Sequence, residues 1–97
     1  MWILETHETA AEPITFRLPD GSVKTIGRST GAEFIVDAAL VSRLHCQLTA
    51  MADALHVKDL ASTNGTFVNG KRVQTASLQS GDRLGVGRVE LIVARAE

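Results

Sequence analysis

The feature that most constrains this chain is a period-two alternation of apolar and polar residues, repeated along much of its length. Ile14, Phe16 and Leu18 alternate in ITFRL, Leu55 and Val57 in ALHV, Leu84 and Val86 in RLGV, and Val89, Leu91 and Val93 in VELIV. That period puts every second side chain on one face and predicts half-buried β-strands. Turn signals separate the runs: Pro19-Asp20-Gly21, Asn69-Gly70 and Ser80-Gly81-Asp82 each supply a residue that presets a turn or tolerates positive φ. Strands returning every ~8 to 12 residues with turns between them predict a sandwich or barrel. The alanine-containing segments at 37–40 and 50–54 fall short of the ~12 residues a stable helix usually needs. A single turn is expected at Asp37-Ala38-Ala39-Leu40.

A chain of 97 residues has room for one domain, 1–97, which buries somewhat over ~60% of its unfolded surface. Hydrophobic residues make up 44% and charged residues 22%, an ordinary globular balance. No tyrosine is present, and the aromatics are Trp2, Phe16, Phe34 and Phe67, so the core must rest on valine, leucine, isoleucine and alanine. The formal net charge of -1 excludes a nonspecific nucleic-acid binder, which gains affinity from many cations neutralising phosphates. Any anion site must therefore be local. Cys46 is the only cysteine, so neither an internal disulfide nor a multi-thiolate zinc site can form. The opening MWILETHE lacks the basic and apolar regions of a signal peptide, and no apolar run approaches the ~20 residues that cross a bilayer. A cytoplasmic domain without membrane association is expected, with Met1 a native N-terminus.

Two Asn-Gly pairs lie close together. Asn69-Gly70, between Thr66-Phe67-Val68 and Lys71-Arg72-Val73, reads as a two-residue hairpin turn of the primed type. Asn64-Gly65 comes five residues earlier, and two tight hairpins cannot share Thr66 to Val68 as a full strand between them. The segment Asp59 to Thr66 instead offers hydroxyls, an amide and backbone N–H groups to one point, as a loop gripping an anion or a peptide backbone would. Gly27-Arg28-Ser29 follows the strand-like Val23 to Ile26, which places Arg28 to leave the sheet and present its planar fork to a phosphate or carboxylate.

Read in order and at their separations, Gly27-Arg28, Ser42-Arg43-Leu44-His45 and Ser62-Thr63-Asn64-Gly65-Thr66 followed by Asn69-Gly70 resemble the forkhead-associated domain, a phosphothreonine-peptide binding module. The resemblance covers roughly Trp2 to Arg95. It implies an all-β fold, an antiparallel two-sheet sandwich of about ten or eleven short strands with ligand loops at one end. It implies a non-catalytic module that couples Ser/Thr kinase signalling to protein interaction by holding phosphothreonine-containing partners. The phosphopeptide contacts then fall on Arg28, Ser42, Arg43, Thr63 and Asn64, with Gly27, His45 and Gly65 as structural support. Arg28 would contact the phosphate or support the peptide, and Ser42 would donate its hydroxyl to a phosphate oxygen. Arg43 would add a second charge, Thr63 would lie beside the phosphothreonine, and Asn64 would bond the peptide backbone. A phosphothreonine carries about -1.5 to -2 charges, so two arginines and one or two hydroxyls match it without a basic domain. No cofactor and no metal is implied.

The alternatives are weaker. A hydrolase would need Ser42 as nucleophile, His45 as base and Asp37 or Asp59 to orient it. In an extended strand Ser42 and His45 point to opposite faces and lie ~10 Å apart, and no Gly-x-Ser-x-Gly elbow bends the chain. Cys46 alternates with Leu48 and is expected in the core. His7 and His56 lack partners at metal-ligand spacing. Lys71 and Arg72 read as the solvated tip of the hairpin, able at most to graze an acidic peptide, and Arg83 and Arg88 as edge or turn charges. A phosphorylation-independent interaction module on the same sandwich is the competing function.

Overall fold

The computed structural model describes residues 1–6 and 13–96; His7 lies outside the described residues. Eleven strands follow one another: β1 (Trp2–Thr6), β2 (Thr15–Leu18), β3 (Val23–Gly27), β4 (Phe34–Ile35), β5 (Cys46–Ala50), β6 (Leu55–Asp59), β7 (Thr66–Val68), β8 (Lys71–Val73), β9 (Thr75–Leu78), β10 (Arg83–Val86) and β11 (Val89–Arg95). They form a six-stranded sheet in the order β2-β1-β11-β10-β7-β8 and a five-stranded sheet in the order β4-β3-β5-β6-β9. The fold is the all-β two-sheet sandwich that the resemblance implies, and it resolves the choice between sandwich and barrel that the alternation leaves open.

Alternation explains the layering. In β6 Leu55 and Val57 point inward and are buried, while His56 and Lys58 face out. In β11 Leu91 and Val93 do the same against Glu90 and Ala94. The two inner faces meet in a core of Leu4, Leu18, Ile26, Leu48, Leu55, Leu78, Leu84 and Leu91 with valines and alanine between them. Each such side chain contributes roughly 1.5 to 3 kcal/mol on burial. Cys46 is fully buried in this layer. Burial pushes its thiol up to about 12, with the Asp59 charge adding to the rise and a hydrogen bond with Thr66 opposing it, so it is an inert packing residue.

The strands pair antiparallel except for one two-residue parallel pair, Ile26 with Phe34 and Gly27 with Ile35. The segment at 28–33 doubles back to make it, and Phe34 then stacks on Phe16 of the other sheet with ring centroids 4.3 Å apart. Asn69 and Gly70 both take positive φ, 51° and 81°, between the paired Val68 and Lys71. This is the primed hairpin turn, whose twist matches that of its strands. The segment at 37–40 makes a turn, closed by Val41 N–H donating to the Ala38 carbonyl at 3.1 Å, and no helix.

The site end of the sandwich is where β3 finishes, β5 begins, β6 finishes and β7 begins. At the opposite end the buried Trp2 donates its indole N–H to the Met51 carbonyl at 2.8 Å. Arg95 lies over the same indole, 4.9 Å from the ring centroid, and pairs with Asp20 at 3.0 Å.

Candidate functional site

Three loops meet at the site end: residues 28–33 after β3, 36–45 before β5, and 60–65 between β6 and β7. The first two are zipped along their backbones. Arg28 N–H donates to the Ser42 carbonyl at 2.9 Å, and Ser29 N–H to the Arg43 carbonyl at 3.2 Å. Gly27 makes this approach possible, since a Cβ there would collide with the Arg43 carbonyl.

His45 ties the second and third loops to the end of β3. It is fully buried, and its own N–H donates to the Ile26 carbonyl at 2.8 Å while its carbonyl accepts from Leu60 N–H at 2.9 Å. In the ring, Nδ1 accepts from Ser42 N–H at 3.0 Å and Nε2 lies 2.8 Å from the Gly65 carbonyl. A backbone N–H can only donate and a carbonyl can only accept, so the hydrogen sits on Nε2.

The expectation that Ser42 and His45 lie far apart on an extended strand is corrected here. The chain bends at Arg43–Leu44, and the ring reaches the backbone of Ser42 instead. Proximity does not make a catalytic pair, because both ring nitrogens are engaged by backbone groups and neither meets the Ser42 hydroxyl.

The third loop is organised by Asp59. Its carboxylate accepts from Ser62 N–H at 3.1 Å, from the Ser62 hydroxyl and from the Thr66 hydroxyl at 2.7 Å. Ser62 Oγ in turn accepts from Gly65 N–H at 3.0 Å. Burial raises the Asp59 carboxyl, but these hydrogen bonds together outweigh it, with the nearby His45 adding to them, and hold it below the ordinary carboxylate range. The loop includes Ala61 at φ 56°, a left-handed conformation uncommon for a residue with a Cβ.

Arg28, Ser42, Arg43 and Thr63 line one open depression of about 590 Å³, with Ser29, Gly31, Leu44 and Ala61. Asn64 is not in its wall; it stands beside it, exposed, with Nδ2 donating to the Leu40 carbonyl at 3.1 Å. Ser42 Oγ accepts from Thr63 N–H at 3.1 Å, which fixes the oxygen and leaves its hydrogen without a partner among the described residues. The Arg28 and Arg43 side chains are exposed and make no ion pair there either. Among the described residues no carboxylate lines the depression. Two free guanidiniums, a pre-positioned hydroxyl and no competing anion make a cradle for one compact, multiply charged oxyanion.

The sequence pattern characteristic of the FHA domain matches residues 24–87 of this chain. The chain belongs to the FHA domain family. Similar curated proteins include an ABC transporter ATP-binding/permease protein of Mycobacterium tuberculosis, 38% identical over 84% of this chain and 9% of the relative. The FHA domain-containing protein FhaA of the same organism is 36% identical over 88% of this chain and 18% of its own length. The chain thus spans less than a fifth of either relative. Among solved structures, an FHA domain characterised for phosphothreonine-dependent interactions superposes with a TM-score of 0.83 at 31% identity, covering 99% of this chain and 97% of that one.

Against this FHA frame the remaining candidates sort readily. Exposed His56 lies 3.1 Å from the Ser77 hydroxyl through Nδ1, and among the described residues no cluster of histidine, cysteine and carboxylates could hold a metal. Nor is any described helix long and apolar enough to cross a membrane. Arg83 pairs with Glu90 at 3.1 Å on the sheet, and Arg88 is exposed between β10 and β11. Asp59, considered above only as a catalytic acid, is the organiser of the Asn64 loop. The Asp59-x-x-Ser62 spacing, an acidic residue capping a turn three positions on, was the signal for it.

Proposed function

We propose that this domain is a non-catalytic phosphopeptide receptor that binds phosphothreonine-containing segments of partner proteins in the cytoplasm and so carries Ser/Thr kinase signals into protein assembly. The observation that carries the proposal is the cradle: the Arg28 and Arg43 guanidiniums and the Ser42 hydroxyl hydrogen, each without a partner among the described residues, converge on one depression, and every buried side-chain nitrogen and oxygen described is already hydrogen-bonded. Arg28 and Arg43 supply charge-assisted bonds to phosphate oxygens, each worth roughly 1.5 to 3 kcal/mol before their costs. Ser42 donates its free hydroxyl to a third contact, and Thr63 borders the same space. Asn64, held through one amide hydrogen by Leu40, keeps Oδ1 and its second hydrogen for the backbone of the bound segment.

Gly27, His45 and Gly65 act as support, since each either permits a close approach or ties one loop to another. The buried Cys46 thiol suits a reducing compartment. The likeness to an FHA domain with phosphothreonine-dependent interactions supports the same ligand class.

Calorimetry with a degenerate set of phosphothreonine, phosphoserine and unphosphorylated peptides tests the proposal. Phosphothreonine peptides bind, their phosphoserine forms bind about 10- to 200-fold more weakly for want of one methyl group, and plain peptides do not bind. Equal affinity for phosphorylated and plain peptides would sink the reading and favour a phosphorylation-independent interaction surface.

A further inference from the structure

Arg72 belongs to β8 and lies directly across from Phe67 of β7. Its neighbour on that pair of strands, Thr66, is fully buried, so Phe67 and Arg72 occupy the outward face of the six-stranded sheet. The sequence alone reads Arg72 as part of a solvated hairpin tip able to graze an acidic peptide, and the structure leaves it exposed while adding a direction. Its side chain reaches back along the hairpin toward the ligand end. Arg72 Nε lies 2.8 Å and Cζ 3.1 Å from the position that a Cβ on Gly65 would occupy, with Phe67 Cε1 at 3.2 Å from the same point. Gly65 takes φ +92°, so the backbone leaving Asn64 passes immediately beneath the guanidinium.

Three observations set this arginine apart from an ordinary surface charge. First, its guanidinium lies beside Gly65, the residue that follows Asn64 and whose carbonyl is held by the His45 ring. Second, it has no carboxylate partner among the described residues, whereas Arg83 and Arg95 have theirs at 3.1 and 3.0 Å. Third, its position against Gly65 and Phe67 restricts the long side chain before any ligand arrives, which lowers the entropy cost of making a charged bond there. In these respects it matches Arg28 and Arg43 rather than the paired arginines.

We propose that Arg72 is a specificity residue of the ligand surface, pairing with an anionic side chain of the bound segment, a carboxylate or a second phosphate, that flanks the phosphothreonine. The proposal rests on the phosphothreonine reading above and adds a chemical requirement to it: partner segments carry an acidic or second phosphorylated residue near the mark. The pair is exposed, so its effect is on choice among ligands more than on bare affinity.

The test uses synthetic phosphothreonine peptides in which one flanking position at a time, on both sides of the mark, is alanine, aspartate, phosphoserine or lysine. Wild-type protein prefers the anionic forms at one position by about two- to five-fold for aspartate, and the preference shrinks as salt is raised. Arg72→Gln abolishes that preference and leaves the affinity for the alanine peptide unchanged. Arg72→Glu reverses it toward a lysine peptide. Comparison of the aspartate and phosphoserine arms shows which anion the position takes. An acid preference that survives Arg72→Gln, a uniform loss across all peptides, or no preference at any position overturns the assignment. Arg28→Ala serves as the separate control: if it leaves phosphopeptide binding intact, the underlying reading has failed, whereas Arg28-dependent binding indifferent to Arg72 rejects only the present inference.

Discussion

The two ends of the sandwich spend their arginines in opposite ways. At the far end Arg95 is used up inside the molecule: it covers the Trp2 indole, pairs with Asp20 and donates to the Met51 carbonyl at 3.2 Å. Asp20 is further occupied by the terminal ammonium of Met1 at 3.0 Å, whose hydrogen bond is the first cause of its carboxyl's fall below the ordinary range. At the loop end the Arg28 and Arg43 side chains stand exposed, without an ion pair among the described residues, while their backbones zip the loops beneath. The Arg95 charge is neutralised within the fold, whereas those of Arg28 and Arg43 stay available, which is what the proposed role in phosphate binding requires.

Substitutions that strike one end alone test this division. The largest effect is expected from Trp2→Ala, which removes a fully buried indole and its hydrogen bond and costs about 3 to 5 kcal/mol of stability. Chemical denaturation should register that loss while phosphopeptide affinity of the folded fraction stays the same. Arg28→Ala should do the reverse, weakening phosphothreonine binding by at least about 30-fold with a melting temperature within a few degrees of wild type; a large thermal loss would place Arg28 among the structural arginines.

His45→Ala crosses the division, because the ring is buried and also ties Ser42 to Gly65. Stability should fall by about 2 to 4 kcal/mol, and binding should fall even at temperatures where the variant is folded, measurable by calorimetry beside a melting curve. Asp59 gives a subtler effect on pH. Its carboxyl is lower in the folded than in the unfolded chain, so it adds stability at pH above the ordinary carboxylate value. That contribution disappears as pH falls through the folded value. Asp59→Asn should flatten this acid limb in a pH series of denaturation curves, and an unchanged slope would show that its hydrogen bonds to Ser62 and Thr66 carry no charge dependence. The smallest effect belongs to Arg95→Gln. Its ion pair with Asp20 is exposed, so stability should drop by only about 0.5 to 1 kcal/mol, with ligand binding unmoved.

Much of this was legible in the chain. Period-two alternation in ITFRL, ALHV, RLGV and VELIV marked strands whose inner residues are buried or, at Ile14, Phe16 and Val89, half-buried, because a strand has only two faces and a sandwich covers one of them. Asn69-Gly70 announced its turn through the backbone freedom that two positive φ values require. Arg28, Ser42, Arg43 and Thr63 were recognisable as a set from their motifs and do line one depression. The bend between Ser42 and His45 was not legible. An extended reading is the default for a short apolar-flanked run, and the bend exists only because Nδ1 finds Ser42 N–H while Nε2 finds a carbonyl twenty residues away. The role of Asp59 is different, since its partners Ser62 and Thr66 are close in sequence and the Asp59-x-x-Ser62 spacing carries the signal.

The sequence by itself determined the strand pattern, the hairpin at Asn69-Gly70 and the need for a local rather than global positive charge. Those follow from side-chain period, backbone freedom and composition, which are properties of neighbours in the chain. Only the tertiary structure decided which arginines are spent and which remain available, which nitrogen of His45 carries its hydrogen, and that Arg72 turns back from its hairpin to lie over Gly65. Those depend on groups brought together from distant strands, and a charge or a hydrogen bond acquires its function from the partner that folding puts beside it.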